Sequence, residues 1–456
     1  MLYPSLRAAA HVALRWYYAD VVVQGGERVP ADGPLLVVAN HPNALVDALV
    51  VSTVLHRRVL LTAKATLFEH PLLAALLGVI GVVPLRRAAD ERHKVAAGMP
   101  MTRNADAFAR VREALAAGRA VLVFPEGISH DQPALAPLRT GAARMALDAA
   151  AGGVRGLRLL PLGLVFEEKE RPRSRVLVRV GEPIDLDAWR VTNPGSEAAH
   201  LTALLDQALR GVTLNFASAE RAERAVALAR ALAALSSAPP RLDRPRALAT
   251  EVALAARIER ATAAVSDAPA ALAEQATRFT ARVAALEARL GMLHVTLADV
   301  GISPRLRHGA RFLVREGGLA LLALPVSLLG RVTHWLPLRV ARSLAMRPLA
   351  TDPSRDQPAM RTIVLGLVIL LVWYGVLFVL TAHWLGALGA LLAVLAVFLA
   401  ARVDYLFSDR LQRARQRAGT YLALRRHPAL RDGALAEVNA LLAEATVLEA
   451  ALLAPR

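Results

Sequence analysis

Two stretches near the end of the chain, Ile363–Leu380 and Leu385–Ala401, hold no charged side chain, and Ala382-His383-Trp384 lies between them. Spanning a bilayer takes about 20 apolar residues, so each stretch qualifies. A third, Gly317–Gly330, is shorter and contains Pro325, which reads as a re-entrant or interfacial segment. Arg331, Arg339, Arg342, Arg347, Arg355 and Arg361 precede the first span, and Arg402, Arg410, Arg413 and Arg415 follow the second. If only the two long stretches cross, both clusters fall on the cytoplasmic side, as the bias of arginine toward that side favours. A crossing at 317–330 would push one cluster to the opposite side. The expectation is a membrane-proximal region at 301–361, a transmembrane hairpin at 362–402 and cytoplasmic helices at 403–456.

The remaining composition narrows the partners. The chain is 55% hydrophobic and carries a formal net charge of +17, mostly from arginine. Those arginines are spread along helical patterns and beside apolar segments, which suits an anionic lipid surface. Nucleic acid is the poorer match: zinc-ligand cysteines, an RNA-recognition aromatic pattern and a compact basic stripe are all missing. With no cysteine, disulfides, thiolate nucleophiles and cysteine-held metals are excluded. Residues 1–20 are broken by Arg7, His11, Arg15 and Asp20, unlike a signal peptide. They read as an amphipathic interfacial helix whose Trp16-Tyr17-Tyr18 end suits lipid headgroups, or equally as a helix packed on a catalytic domain.

From Asp20 to about Trp189, short β-branched runs alternate with helical patterns. Val21–Val23, Leu35–Ala39, Val59–Thr62, Ala120–Phe124, Leu159–Leu164 and Val176–Val180 predict strands, several buried on both faces. Ala44–Leu55, His70–Gly78, Ala105–Ala117 and Thr140–Ala151 predict helices. This alternation predicts an α/β domain over 21–196, with a mostly parallel central sheet and flanking helices. Residues 197–300 turn to Ala, Arg, Leu and Glu at helical spacing and predict two or three long amphipathic helices. They serve as a solvated appendage, a lid or a dimerisation surface, so a homo-oligomer stays open.

Four segments carry chemistry. Asn40-His41-Pro42-Asn43-Ala44-Leu45-Val46-Asp47 follows the strand Leu35–Ala39. Pro42 suits a first helical position, and Asp47 can fold back to orient the His41 imidazole as a general base. Taken singly, a structural histidine is the simpler reading. Phe124-Pro125-Glu126-Gly127-Ile128-Ser129-His130-Asp131 follows the strand Ala120–Phe124. Glu126 can hold an acceptor hydroxyl, and Gly127 lets a ligand approach the backbone; a capped turn is the alternative. Gly81-Val82-Val83-Pro84-Leu85-Arg86-Arg87 ends in a pair of arginines suited to a phosphate monoester, with Lys64 a weaker candidate for the same group. Leu160-Pro161-Leu162-Gly163 reads as core, or as the lining of a channel for an acyl donor.

In this order the four segments resemble the glycerolipid acyltransferases, the family of glycerol-3-phosphate and lysophosphatidate acyltransferases, over about Val21–Glu182. The resemblance implies that His41 and Asp47 are catalytic and that Gly81, Arg87, Glu126 and Gly127 bind the acceptor. Pro161 then stands in the motif on the acyl-donor side. Five residues separate His41 from Asp47, where the family usually has four. The extra residue and the Phe-Pro-Glu-Gly-x-Ser-His-Asp form resemble the glycerol-3-phosphate/dihydroxyacetone-phosphate branch, which makes glycerol 3-phosphate the expected acceptor and lysophosphatidate the rival. The donor is an acyl thioester, of coenzyme A or acyl carrier protein, and no cofactor or metal is needed. A catalytically inactive membrane scaffold and a transporter are the readings from other classes. The intact motif residues argue against the first, and spans without ionisable groups argue against the second.

Overall fold

Leu35–Ala39 is buried at all five positions and Ala120–Val123 at all four, as strands in the middle of a covered sheet must be. The fold comes from a computed structural model that describes residues 2–68, 78, 81–85, 105–195, 197–236, 248–295, 297, 300, 306–346 and 358–453. Its strands are β1 (Asp20–Gln24), β2 (Leu35–Ala39), β3 (Val59–Leu60), β4 (Thr62–Lys64), β5 (Val83–Leu85), β6 (Ala120–Val123), β7 (Arg158–Phe166), β8 (Arg175–Val180) and β9 (Ile184–Asp185). The main sheet has the order β1-β8-β7-β2-β6-β3, with β9 beside β7. Four pairings are parallel (β1 with β8, β7 with β2, β2 with β6, β6 with β3), and β7 runs antiparallel to β8 and β9. This is the expected α/β class with a mostly parallel sheet.

Successive residues of β2 point to opposite layers. Leu36 and Val38 join a core with α3 (Ala105–Ala116), α4 (Gly141–Ala151) and α6 (Ala198–Val212). Leu35, Val37 and Ala39 join the other, with α1 (Leu2–Tyr17) and α2 (Ala44–Val54). A short α5 (Leu186–Thr192) follows β9. The sheet thus lies between two helical layers.

Several details depart from expectation. The strand expected over Val59–Thr62 divides at Leu61: β3 stays beside β6, while β4 leaves to pair with β5 in a separate two-stranded sheet. Val83 N–H donates to Leu61 O at 2.9 Å, which marks the point where the chain changes partner. The helix expected at His70–Gly78 falls almost wholly outside the described residues. Tyr17 and Tyr18 are buried core residues, and their hydroxyls donate to Glu170 O and Lys169 O. They do not form a headgroup belt; α1 packs on α2, where Arg7 donates to the Thr53 and Leu55 carbonyls. Helix α6 lies past the boundary expected at 196, yet Leu201, Leu205 and Leu209 belong to the sheet's core.

The chain forms two compact units, one built on Met1–Ala217 and the other on Ser218–Arg347 with Val364–Arg456. The second unit is helical among its described residues: α7 (Ala219–Ser236), α8 (Leu248–Val265), α9 (Ala270–Gly291), α10 (Leu306–Ala345), α11 (Pro358–Arg426) and α12 (Pro428–Leu453). Arg282–Glu444 and Arg289–Glu437 ion pairs set α9 antiparallel to α12. Gly386, at φ 67° and ψ 173°, breaks α11, and Tyr374 and Phe398 on either side of the break bring their rings to 6.3 Å. The two apolar stretches therefore form a hairpin. Gly317–Gly330 is no separate re-entrant segment. It lies inside the 40-residue α10, which leans on α11 where Gly330 meets the Ala400 backbone and Ser327 donates to Asp404 at 2.6 Å. Among the described residues, the helices long and apolar enough to cross a membrane are Gly309–Ala345 and Arg361–Arg426.

Candidate active site

Parallel neighbours end at the same edge of a sheet, and loops at carboxyl ends of strands are where such sheets bind ligands. Val38 of β2 pairs with Val123 of β6. His41 and Glu126 each follow three residues later, so two motifs 85 residues apart in sequence meet at one level. His41 N–H donates to Glu126 Oε1 at 2.8 Å, and His130 N–H returns a bond to His41 O at 3.3 Å.

His41 Nδ1 lies 2.9 Å from Asp47 Oδ2. The same oxygen accepts from Asn43 N–H at 2.7 Å, so the acid is aimed by two donors. The five-residue spacing is absorbed at the first residue of the helix: Ala44 sits at φ 46°, unusual for a residue with a side chain, and its N–H donates to Ser129 Oγ at 3.0 Å. The imidazole stacks on Phe124 with centroids 3.9 Å apart and planes 12° apart. Its Nε2 has no hydrogen bond among the described residues, which leaves that nitrogen for chemistry. Asp47 is completely buried and its Oδ1 is unpartnered. Burial raises its pKa above the usual carboxylate range, and the hydrogen bonds from His41 and Asn43 and the charge of Lys169 partly offset this.

Glu126 departs most from its expected part. It is 2% exposed, and both oxygens are engaged: Oε1 by His41 N–H, Oε2 by Ala136 N–H at 2.8 Å and by the His130 ring. The carboxylate ties together the loops that carry His41 and His130, with both oxygens already accepting bonds from the protein. Gly127 adopts φ +71°, and a Cβ there would come within 2.9 Å of Arg139 Nε. Arg139 lies across this glycine, donating through Nε to Glu126 O at 3.3 Å and through its backbone N–H to Pro125 O at 2.9 Å.

The other expected residues are more scattered. Gly81 turns at φ +82° into β5, and Lys64 ends β4 opposite Leu85. Arg86 and Arg87, directly after β5, lie outside the described residues. Pro161 is buried within β7, level with Val38 and packed against Gly181, and so below the His41 loop. Sequence reasoning passed over Asn43, Ser129, His130, Arg139 and Lys169. Ser129 and His130 stood in a quoted motif but had no assigned chemistry. Lys169 Nζ donates to Pro42 O at 2.7 Å and pairs with Asp131, bracing the loops of both motifs. A compositional signal was available: Lys64, Lys94 and Lys169 are the only lysines among 55 basic residues.

Residues 20–165 match the family model described as Acyltransferase. An uncharacterized acyltransferase of Schizosaccharomyces pombe is 25% identical over 256 residues, covering 38% of this chain and 38% of the relative. Glycerol-3-phosphate O-acyltransferase 2 of Saccharomyces cerevisiae is 40% identical over 85 residues, or 18% of this chain and 11% of the relative. Its counterpart glycerol-3-phosphate O-acyltransferase 1 is 33% identical over 109 residues, or 23% and 14%. The chain therefore spans well under half the length of these relatives. Among solved structures, the 1-acyl-sn-glycerophosphate acyltransferase PlsC of Thermotoga maritima gives a TM-score of 0.35 at 22% identity, over 46% of this chain and 78% of that one. The two motif loops thus lie inside the span, residues 20–165, that matches the Acyltransferase family model.

Proposed function

We propose that this chain is a membrane-bound O-acyltransferase that moves a fatty acyl group from an acyl thioester to the hydroxyl of glycerol 3-phosphate or dihydroxyacetone phosphate. The observation that carries the reading is the His41–Asp47 pair: a buried carboxylate on Nδ1, the ring held flat on Phe124, and Nε2 left open. In that arrangement Nε2 takes the proton of the acceptor hydroxyl as its oxygen attacks the thioester carbonyl. The tetrahedral adduct collapses with cleavage of the C–S bond. The imidazolium returns the proton to the departing thiolate, leaving an ester and a free thiol. Asp47 fixes the tautomer and stabilises the transient imidazolium. Positioned acid–base catalysis contributes about 10² to 10⁴ in rate.

The names of the yeast relatives support a phosphorylated glycerol acceptor, and the two long apolar helices support a membrane setting. With only the hairpin crossing, the arginines that flank it favour the catalytic unit on the cytoplasmic face, and a crossing by α10 would reverse that side. The testing experiment offers palmitoyl-CoA with glycerol 3-phosphate or lysophosphatidate to the detergent-solubilised protein, with His41→Ala in parallel. Lysophosphatidate formed from glycerol 3-phosphate, and lost in the variant, is the expected result. Phosphatidate formed from lysophosphatidate alone moves the enzyme to the second acylation, and equal turnover by both proteins removes His41 from the mechanism.

A further inference from the structure

We infer that Arg139 is a phosphate-binding residue of the acceptor site, a role that rests on the acyl-transfer reading above. Three features of its surroundings point there. First, Arg139 is held in place by bonds that leave its fork unused: the backbone N–H is fixed to Pro125 O and Nε to Glu126 O. Among the described residues its two terminal nitrogens make no hydrogen bond or ion pair, although the residue is solvent-exposed. An exposed arginine anchored at Nε presents two N–H groups in a fixed plane, the geometry that matches two oxygens of a phosphate.

Second, the guanidinium lies directly over the glycine of the Pro-Glu-Gly turn. A Cβ at Gly127 would stand 2.9 Å from Nε and 3.0 Å from Cδ of Arg139, and φ +71° disfavours a side chain there in any case. The turn thus carries the guanidinium over its own backbone, one residue from the carboxylate that holds His41 N–H. Third, the nearby acids are already engaged by other groups. Glu126 is satisfied by three donors, His130 among them, and Asp131 is paired with Lys169. An arriving phosphate meets two terminal nitrogens that no acid engages among the described residues. Glycerol 3-phosphate and lysophosphatidate both present the dianionic group this fork fits, so the assignment does not depend on which is the acceptor.

The test is steady-state kinetics and calorimetry on the full-length protein in detergent, comparing wild type with Arg139→Gln, Arg139→Lys and Gly127→Ala. Charge-assisted hydrogen bonds of this type correspond to about a 10- to 100-fold change. Arg139→Gln is expected to raise KM for the phosphate-bearing acceptor by that factor while KM for palmitoyl-CoA stays constant. Arg139→Lys should recover part of the loss, and Gly127→Ala should reproduce it by displacing the guanidinium. An unchanged acceptor KM, or an equal rise for donor and acceptor, overturns the assignment. If wild type turns over lysophosphatidate in place of glycerol 3-phosphate, the proposed acceptor fails but the same KM comparison reads Arg139. If neither acceptor is turned over, calorimetric binding of glycerol 3-phosphate decides: binding weakened by Arg139→Gln upholds the assignment, and equal or absent binding overturns it.

Discussion

Asp47 faces two opposed demands. The proposed catalysis wants it ionised against His41, while complete burial favours the neutral acid. The sign for stability follows from the raised pKa. Asp47 favours the folded state at acid pH, and that contribution is lost as pH rises from about 4, the unfolded value, through the folded one. Asp47→Asn removes this loss. Thermal unfolding between pH 4 and pH 8 should therefore show a flatter pH dependence for the variant, with turnover reduced by about 10² to 10⁴. A variant as pH-sensitive as wild type contradicts the account. Glu126 gives a second discrimination. If it only ties loops together, Glu126→Gln lowers kcat and costs about 1–3 kcal/mol of stability through lost acceptors, with acceptor KM little changed. A selective rise in acceptor KM would instead give it the direct contact expected from sequence. The contact between His41 and Asp47 was legible because strand, proline and acid are adjacent in the chain. The part of Glu126 was hidden because its partners, His41 and Ala136, are set by which strands pair.

Elements repeat that contrast. The strands were readable from β-branched runs, and most helices from their spacing, because both patterns are local. The division of β3 from β4 was not, since Val59–Leu61 is uniformly apolar and only the arrival of Val83–Leu85 decides where pairing changes. Nor was the destination of α6: an amphipathic helix looks alike whether it covers a sheet or joins a bundle. The contact that decides it lies at Gly163, where an added Cβ would stand 2.1 Å from Val212 O. Gly163→Ala should force α6 away from β7 and destabilise the unit by about 1–3 kcal/mol. A lowered melting temperature with unchanged donor and acceptor KM would bear this out. Lys169 acts across elements as well, from the β7–β8 connection onto Pro42. Lys169→Met should lower kcat more than it alters either KM, because it loosens the loop that aims His41.

On the scale of the whole molecule, composition foretold a division that the fold keeps: a sheet-based unit first, a helical unit after it. The helices of the second unit expose many large apolar side chains, among them Leu321, Leu322, Val372 and Leu388. Such a surface far exceeds what soluble proteins leave open to water. After cell breakage the protein should sediment with membranes, resist extraction by alkaline carbonate and leave only with detergent; release by carbonate alone would contradict integral attachment. The placing of motifs along the chain also sets an order in time. Every group bonded to His41, Asp47 or Glu126 has been synthesised once Lys169 is added, whereas the hairpin begins at Ile363. At ordinary translation speeds those events are separated by roughly 10–40 s. The parallel strands that bring the two loops together can thus pair in the aqueous phase, on the ribosome, before the greasy hairpin has left it.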